Sequence, residues 1–241
     1  SYTALMLHPY PGRPDTSGDA VFEAEHFNEA CIRADAMGLQ ISVHAIGDGA
    51  VRRTLDGYEA AQKVNGIRDS RHRIEHIEVI DPDDLPRLAA LGVVASLQPL
   101  HSPAGGLFPP YEPGDILTRD QISHTFAWRE IRESGARVCF STDWPVVPVD
   151  AMRSVSAAVH GTSLPAPWQD NRQDTLDTLR SYTRDNAWVE FNEHRKGQLA
   201  PGYLADVTVL EKDVTRVDPE ELASVGVSAT ICDGQLTHVR S

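Results

Sequence analysis

Three side chains able to hold a divalent metal sit in matching sequence settings: His44, His76 and Asp143. His44 ends the run Ile41-Ser42-Val43-His44 and is followed by Ala45-Ile46-Gly47-Asp48. His76 ends Arg73-Ile74-Glu75-His76, and Asp143 lies between Phe140-Ser141-Thr142 and Trp144-Pro145. Each stands where a short apolar or mixed strand stops and a turn or helix begins. In a parallel α/β barrel such C-terminal strand ends converge, and active sites are built there. Two neutral imidazoles and a carboxylate suit zinc or another borderline divalent ion. An ion of that kind makes water acidic enough to react near neutral pH and polarises a carbonyl, while a nearby carboxylate moves the proton. Any one of the three alone reads first as a hydrogen-bonded core histidine or a turn aspartate. Three in succession at strand ends point to a site.

The elements that must position them alternate between strand and helix. Asp19 is placed to cap a helix over 20–37, with Val21, Ala24, Phe27, Cys31, Ala34 and Met37 as its apolar face and Gly38 as its stop. A strand at 39–44 follows, then a helix over 48–64 with Val51, Leu55, Tyr58 and Ala61 on one side. The next strand is 72–77, Asp81-Pro82 opens a helix over 82–91, and 93–97 is a buried strand. From Gln98 to Thr118 prolines and glycines crowd together, which reads as a lid or substrate loop after a strand end. A helix over 121–134, the strand 137–142 and helices over 150–160 and 174–190 complete the body. The tail is β-rich, with Val207-Thr208-Val209-Leu210 and a hairpin signal at Asp233-Gly234. Strand–helix alternation implies parallel βαβ units, hence an α/β fold. Four such units are visible where a closed barrel needs eight, and four alone leave open sheet edges.

Composition excludes several partners. The 241 residues carry 22 Lys and Arg against 35 Asp and Glu, a formal charge of −13, with no basic run. Nucleic acid and anionic membrane both require a basic footprint, so neither is expected. Cys31, Cys139 and Cys232 are far apart and odd in number, which suits reduced thiols and a cytoplasmic location better than a disulfide framework. No apolar run reaches the length of a membrane span. Ser141 lacks a Gly-x-Ser-x-Gly elbow, and no phosphate-binding glycine loop is present. The sequence starts at Ser1 rather than Met, so an upstream portion is expected to be missing.

His44-Ala45-Ile46-Gly47-Asp48, Arg73-Ile74-Glu75-His76, Ser141-Thr142-Asp143-Trp144-Pro145-Val146 and Gly197-Gln198-Leu199-Ala200-Pro201-Gly202-Tyr203-Leu204-Ala205-Asp206 form an ordered set along nearly the whole chain. In that order they resemble landmarks of the metal-dependent amidohydrolase superfamily, and within it the N-substituted formamide deformylase-like branch. The resemblance implies a (β/α)8 TIM-type barrel plus a small β-sandwich. Residues 1–192 would be the C-terminal half of the barrel, strands five to eight, and 193–241 part of the sandwich. It implies hydrolysis of non-peptide C–N bonds, amide or formamide, by metal-activated water. His44 and His76 would be the fifth- and sixth-strand ligands, and Asp143 the eighth-strand aspartate that touches the metal and acts as acid/base. Gln98, His101 and Trp144 would face a small amide-like substrate. Asp48 and Glu75 would orient imidazoles, or else serve as a helix N-cap and as an ion-pair partner of Arg73. No His-x-His pair occurs, although the family's first strand ends in one. A homo-oligomer or a missing N-terminal half is therefore expected, and the alternatives are a cyclic amidase or deaminase of the same superfamily and a non-catalytic half-barrel.

Overall fold

The computed structural model describes residues 1–108, 114–160 and 166–240. The chain divides into two compact units, Ser1–Leu97 with Pro109–Val138 and Ser163–Asn171, and Gln98–Phe108 with Cys139–Thr162 and Arg172–Ser241. The tail from 193 lies wholly in the second.

The first unit is α/β and holds β1 (Ser42–Ala45), β2 (Arg73–His76), β3 (Val94–Leu97) and the first half of β4 (Arg137–Phe140), which form one sheet in that order. β1 and β2 run parallel, as do β2 and β3. Helix α1 (Ala24–Ala36) precedes β1, and α2 (Asp48–Asn65) crosses from β1 to β2. Along α2 the expected face of Val51, Leu55, Tyr58 and Ala61 is fully buried, together with Ile74 of β2. A short turn capped by Asp81, whose side chain accepts from the Asp83 amide at 2.9 Å, leads into α3 (Leu85–Ala90). Burying these side chains is the main source of stability, Val51, Leu55 and Ile74 each contributing on the order of 1.5–3 kcal/mol.

Two expectations for this unit are corrected. Helix α1 starts at Ala24 rather than 20, so Asp19 does not cap it, and Val21 and Met37 are 91% and 74% exposed. The helix expected over 121–134 is two helices, α4 (Arg119–Ser123) and α5 (Trp128–Glu133). Thr118 closes a capping box with Gln121 at the start of α4. Between the two helices Phe126 takes a φ of 49°, and its amide donates to the Glu78 carbonyl at 2.9 Å rather than continuing the helix.

A carboxylate cluster ties α1, α2 and the approach to β2 together. Asp35, 4% exposed, accepts from Asn65 Nδ2 at 2.9 Å and from Arg68 Nε at 2.7 Å, and lies 3.1 Å from His72 Nε2. Burial pushes the Asp35 carboxyl up, but the bonds from Asn65 and Arg68 outweigh it and hold it below its usual value. Removing one member of a buried charged pair costs about 3–5 kcal/mol. The Arg68 side chain is 34% exposed, so water recovers part of this. Asp35→Ala is accordingly expected to lose about 3 kcal/mol in a urea titration, and a loss below about 0.5 kcal/mol, typical of a surface change, would contradict the cluster.

In the second unit α6 (Ala151–Val159) is capped by Asp150, which accepts from the Met152 and Arg153 amides. Met152 and Val155 of α6 pack with Val214, Leu222 and Val225. The helix expected over 174–190 breaks at Thr183 into α7 (Thr175–Tyr182) and α8 (Arg184–Val189), because Thr183 leaves the helical region at φ −123°, ψ −84°. The tail forms an antiparallel sheet β5 (Val207–Leu210), β6 (Val227–Cys232), β7 (Gln235–Val239). Asp233 and Gly234 at φ 48° and 77° make its hairpin. The proline-rich 98–118 stretch opens with two single 3-10 turns, Pro99–His101 and Pro103–Gly105. Its centre, 109–113, where a lid was expected, lies outside the described residues.

Candidate functional site

Strand register decides which side chains share a face. Ser42 stands opposite Arg73 and His44 opposite Glu75, while Arg73 and Glu75 face Val94 and Ser96 of β3. Alternation therefore places Ser42, His44, Arg73, Glu75 and Ser96 on one side, and Val43, Ala45, Ile74 and Ala95 on the other. A parallel sheet covered on both faces normally reads apolar throughout. A polar side on β1 and β2 is thus the side available for chemistry. Ser42 and His44 on it are exposed.

Glu75 organises that side. Its carboxylate accepts from Arg73 Nε at 2.6 Å and from Ser42 Oγ at 2.7 Å, and it is also hydrogen-bonded to Ser96. Burial raises this carboxyl, but the three bonds more than offset it, and it is held below the ordinary glutamate value. It is ionised throughout the physiological range. Glu75 thus makes the ion pair with Arg73 that was the alternative to orienting an imidazole.

At the end of β2 the alternation breaks. His76 has a φ of 82° and Ile77 one of 47°, a left-handed backbone that a histidine or a branched residue adopts only when its surroundings impose it. The His76 ring stands edge-on to His44, with ring centroids 4.5 Å apart and planes at 73°. At that spacing one nitrogen of each can reach a common ion through bonds of about 2.0–2.1 Å. The donor set fits a divalent metal of borderline softness. Two residues beyond His76, buried Glu78 lines a cavity of about 390 Å³ with His44, Val43, Met6 and Phe27. Glu78 was not singled out from the sequence, although its spacing in His76-Ile77-Glu78 is a signal that could have found it.

Asp48 sits at the N-terminus of α2, and its carboxylate accepts from the Leu7 amide at 2.9 Å, the Gly49 amide at 2.8 Å and Gln121 Nε2 at 3.0 Å. These bonds fasten the N-terminal segment and α4 to the start of α2. Gly47 and Gly49 admit that segment, since a Cβ would run into the Leu5 backbone at Gly47 and the Met6 backbone at Gly49.

The second unit gathers the other expected residues. His101, 8% exposed, has Nε2 3.4 Å from Asp143 Oδ2, and the Asp143 side chain is 35% exposed. Gln98 Nε2 donates to Ser141 Oγ at 2.9 Å, joining the segment after β3 to the segment after β4. Asn186 Nδ2 of α8 donates to the Phe140 carbonyl at 2.9 Å and holds the end of that strand. Asp143 has a φ of 63°, the second left-handed backbone at a candidate ligand. Phe108 stands edge-on to His101 at 5.7 Å, and Trp144 is 67% exposed beside Asp143. Gln98, His101 and Asp143 are therefore neighbours in one unit, as His44, His76 and Glu75 are in the other.

Comparison with known proteins gives a consistent answer. The family model described as "Amidohydrolase family" matches residues 1–238. YtcJ of Bacillus subtilis (strain 168) is 30% identical over 244 residues, covering 99% of this chain and 45% of YtcJ. The N-substituted formamide deformylase of Arthrobacter pascens is 26% identical over 230 residues, 93% of this chain and 41% of the deformylase. Among solved structures, an uncharacterized metal-dependent hydrolase from Pyrococcus horikoshii OT3 superposes with a TM-score of 0.75 at 30% identity, covering 91% of this chain and 43% of that one. The chain spans less than half the length of these relatives. The match over residues 1–238 shows that the chain belongs to the amidohydrolase family.

Proposed function

We propose that the intact protein is a metal-dependent hydrolase of non-peptide C–N bonds, with an amide or formamide as its small-molecule substrate. The observation that carries this reading is the His44–His76 pair, two imidazoles 4.5 Å apart at the ends of adjacent parallel strands. Membership of the amidohydrolase family supports it. His44 and His76 would hold one ion, zinc or another divalent metal, with Asp143 as a third ligand. When bound, that ion supplies acidified water and Lewis-acid polarisation of a carbonyl. Asp143 takes a proton from the attacking water and delivers it to the departing nitrogen, as a positioned carboxylate does in general acid–base catalysis. His101 and Gln98 face the substrate, and Trp144 supplies an apolar wall. Glu75 keeps the polar side of the sheet charged and ordered, and Asp48 fixes the loop that walls the cavity.

The same proposal takes residues 1–192 as strands five to eight of a (β/α)8 barrel and 193–241 as part of a small β-sandwich. An upstream segment or a partner chain supplies the remaining strands against the edge of β1, where Ser42 and His44 are exposed. The relatives' greater length supports this. A cytoplasmic location accords with the free thiols of Cys31, Cys139 and Cys232. No helix among the described residues is long and apolar enough to cross a membrane.

The test is hydrolysis of a panel of N-substituted formamides and cyclic amides by the intact protein, before and after dialysis against a chelator. Turnover of formamides that vanishes on chelation and returns with zinc or cobalt is the expected result. Turnover indifferent to chelation would overturn the metal reading, and preference for cyclic amides would move the substrate class.

A further inference from the structure

The ends of β1 and β2 opposite to His44 and His76 are joined by a buried imidazole. His72, 3% exposed, precedes β2 by one residue, and its Nδ1 accepts from the Ile41 amide, one residue before β1, at 3.0 Å. An amide only donates, so Nδ1 carries no proton, and the proton sits on Nε2, 3.1 Å from Asp35 Oδ1. Asp35 is in turn held by Asn65 and Arg68. Around this joint the Arg73 amide donates to the Ile41 carbonyl at 2.9 Å, and the Val94 amide donates to the His72 carbonyl at 2.9 Å. Tyr58 of α2 donates to the Arg73 carbonyl at 2.8 Å, with its ring centroid 4.9 Å from that of His72. Burial lowers the His72 pKa against the opposing pull of Asp35, so the ring is neutral and in the tautomer the geometry requires.

We infer that His72 is a positioning residue for the metal-binding pair: by bridging the Ile41 amide and Asp35 it fixes how β1 lies along β2, and so how far apart His44 and His76 stand. The lever is short. Ile41 is three residues from His44, and His72 four from His76, each along a single strand. Register is what keeps side chains on their proper face, and a one-residue slip would turn His44 away. The Ile41 carbonyl is held by the Arg73 amide as part of the ladder, while the Ile41 amide is held by a side chain, Nδ1 of His72. The inference rests on the proposed metal reading.

The test titrates the intact protein with Co²⁺ and Zn²⁺, following Co²⁺ by visible absorption, and measures the urea midpoint of each variant. His72→Leu removes the bridge. His72→Asn places an amide oxygen where Nδ1 stood, and His72→Gln reaches toward Asp35 but leaves the Ile41 amide without its acceptor. Leu88→Ala, a fully buried position on α3, is the control for lost stability alone. His72→Leu and His72→Gln are expected to weaken Co²⁺ binding about tenfold or more, the effect usual for groups that orient metal ligands. His72→Asn should recover the parent affinity, and Leu88→Ala should lower the midpoint without changing affinity. If His72→Leu does not fold, the Asn and Gln variants give the same comparison. Equal Co²⁺ affinity in the His72→Gln, Leu88→Ala and parent proteins overturns the inference while leaving the metal reading intact. Absence of binding by the parent protein overturns both.

Discussion

Substituting His44 by alanine is expected to weaken zinc binding by more than about a hundredfold and to take hydrolysis to background, with the fold unchanged. Groups that merely orient ligands are each worth about 10–100-fold in metal affinity, so a ligand itself must exceed that. Stability should be spared because His44 is exposed, at the open end of β1, and surface changes rarely move stability beyond about 0.5 kcal/mol. The companion substitution at the other ring needs more care. His76 occupies a left-handed backbone at φ 82°, so alanine there would combine strain with loss of the imidazole. Asparagine tolerates that region best among the larger residues, and His76→Asn isolates the ligand effect. Isothermal titration with zinc, beside the urea midpoint, separates the two. Unchanged affinity in either variant would remove that residue from the site.

Asp143→Asn is expected to lower kcat by about 10²–10⁴ while leaving stability close to the parent value, the range set by loss of a positioned general base. The reasoning is again conformational as well as chemical. Asp143 has φ 63°, a region in which asparagine is at home, and its side chain is about a third exposed, so the exchange deletes the charge, the basicity and the proposed anionic metal ligand without straining the backbone. His101 Nε2, 3.4 Å from Asp143 Oδ2, can still meet the amide oxygen. A kcat within a factor of two of the parent would exclude Asp143 from proton transfer.

Much of the fold was legible because its signals are strong and local. The α2 face of Val51, Leu55, Tyr58 and Ala61 has helical spacing and is buried as expected. The strands carrying His44 and His76 and the Asp233-Gly234 hairpin are present, although β1 starts at Ser42 rather than 39 and runs one residue past His44. What failed depended on tertiary choices. Val21 reads as part of an apolar stripe, yet α1 begins after it. The Phe126 amide finds the Glu78 carbonyl, a partner 48 positions upstream, and thereby ends a helix that local propensity would extend. Thr183 breaks a later helix by its own backbone, leaving the helical region while its amide still bonds the Arg180 carbonyl.

The site divides similarly. His44, His76 and Asp143 could be picked out because strand ends are visible in sequence, and the first two do lie together. For the neighbouring carboxylates the sequence left two readings open, and only part of the second, the Glu75 pair with Arg73, could be named. Asp48 turns to the Leu7 amide and Gln121, and Glu75 to Arg73, Ser42 and Ser96, because each finds donors brought in from distant segments. His72 carries no motif in the sequence, and its task is set by the Ile41 amide and Asp35, which engage both its nitrogens.

The most direct test is anomalous diffraction from crystals of the intact protein grown with zinc, collected on both sides of the zinc edge. A single strong peak is expected with nitrogens of His44 and His76 at about 2.0–2.1 Å and a carboxylate oxygen of Asp143 at about 2.0–2.2 Å, the distances zinc demands. A zinc peak held by other residues, with the two imidazoles clear of it, would contradict the assignment of these three side chains to one metal centre.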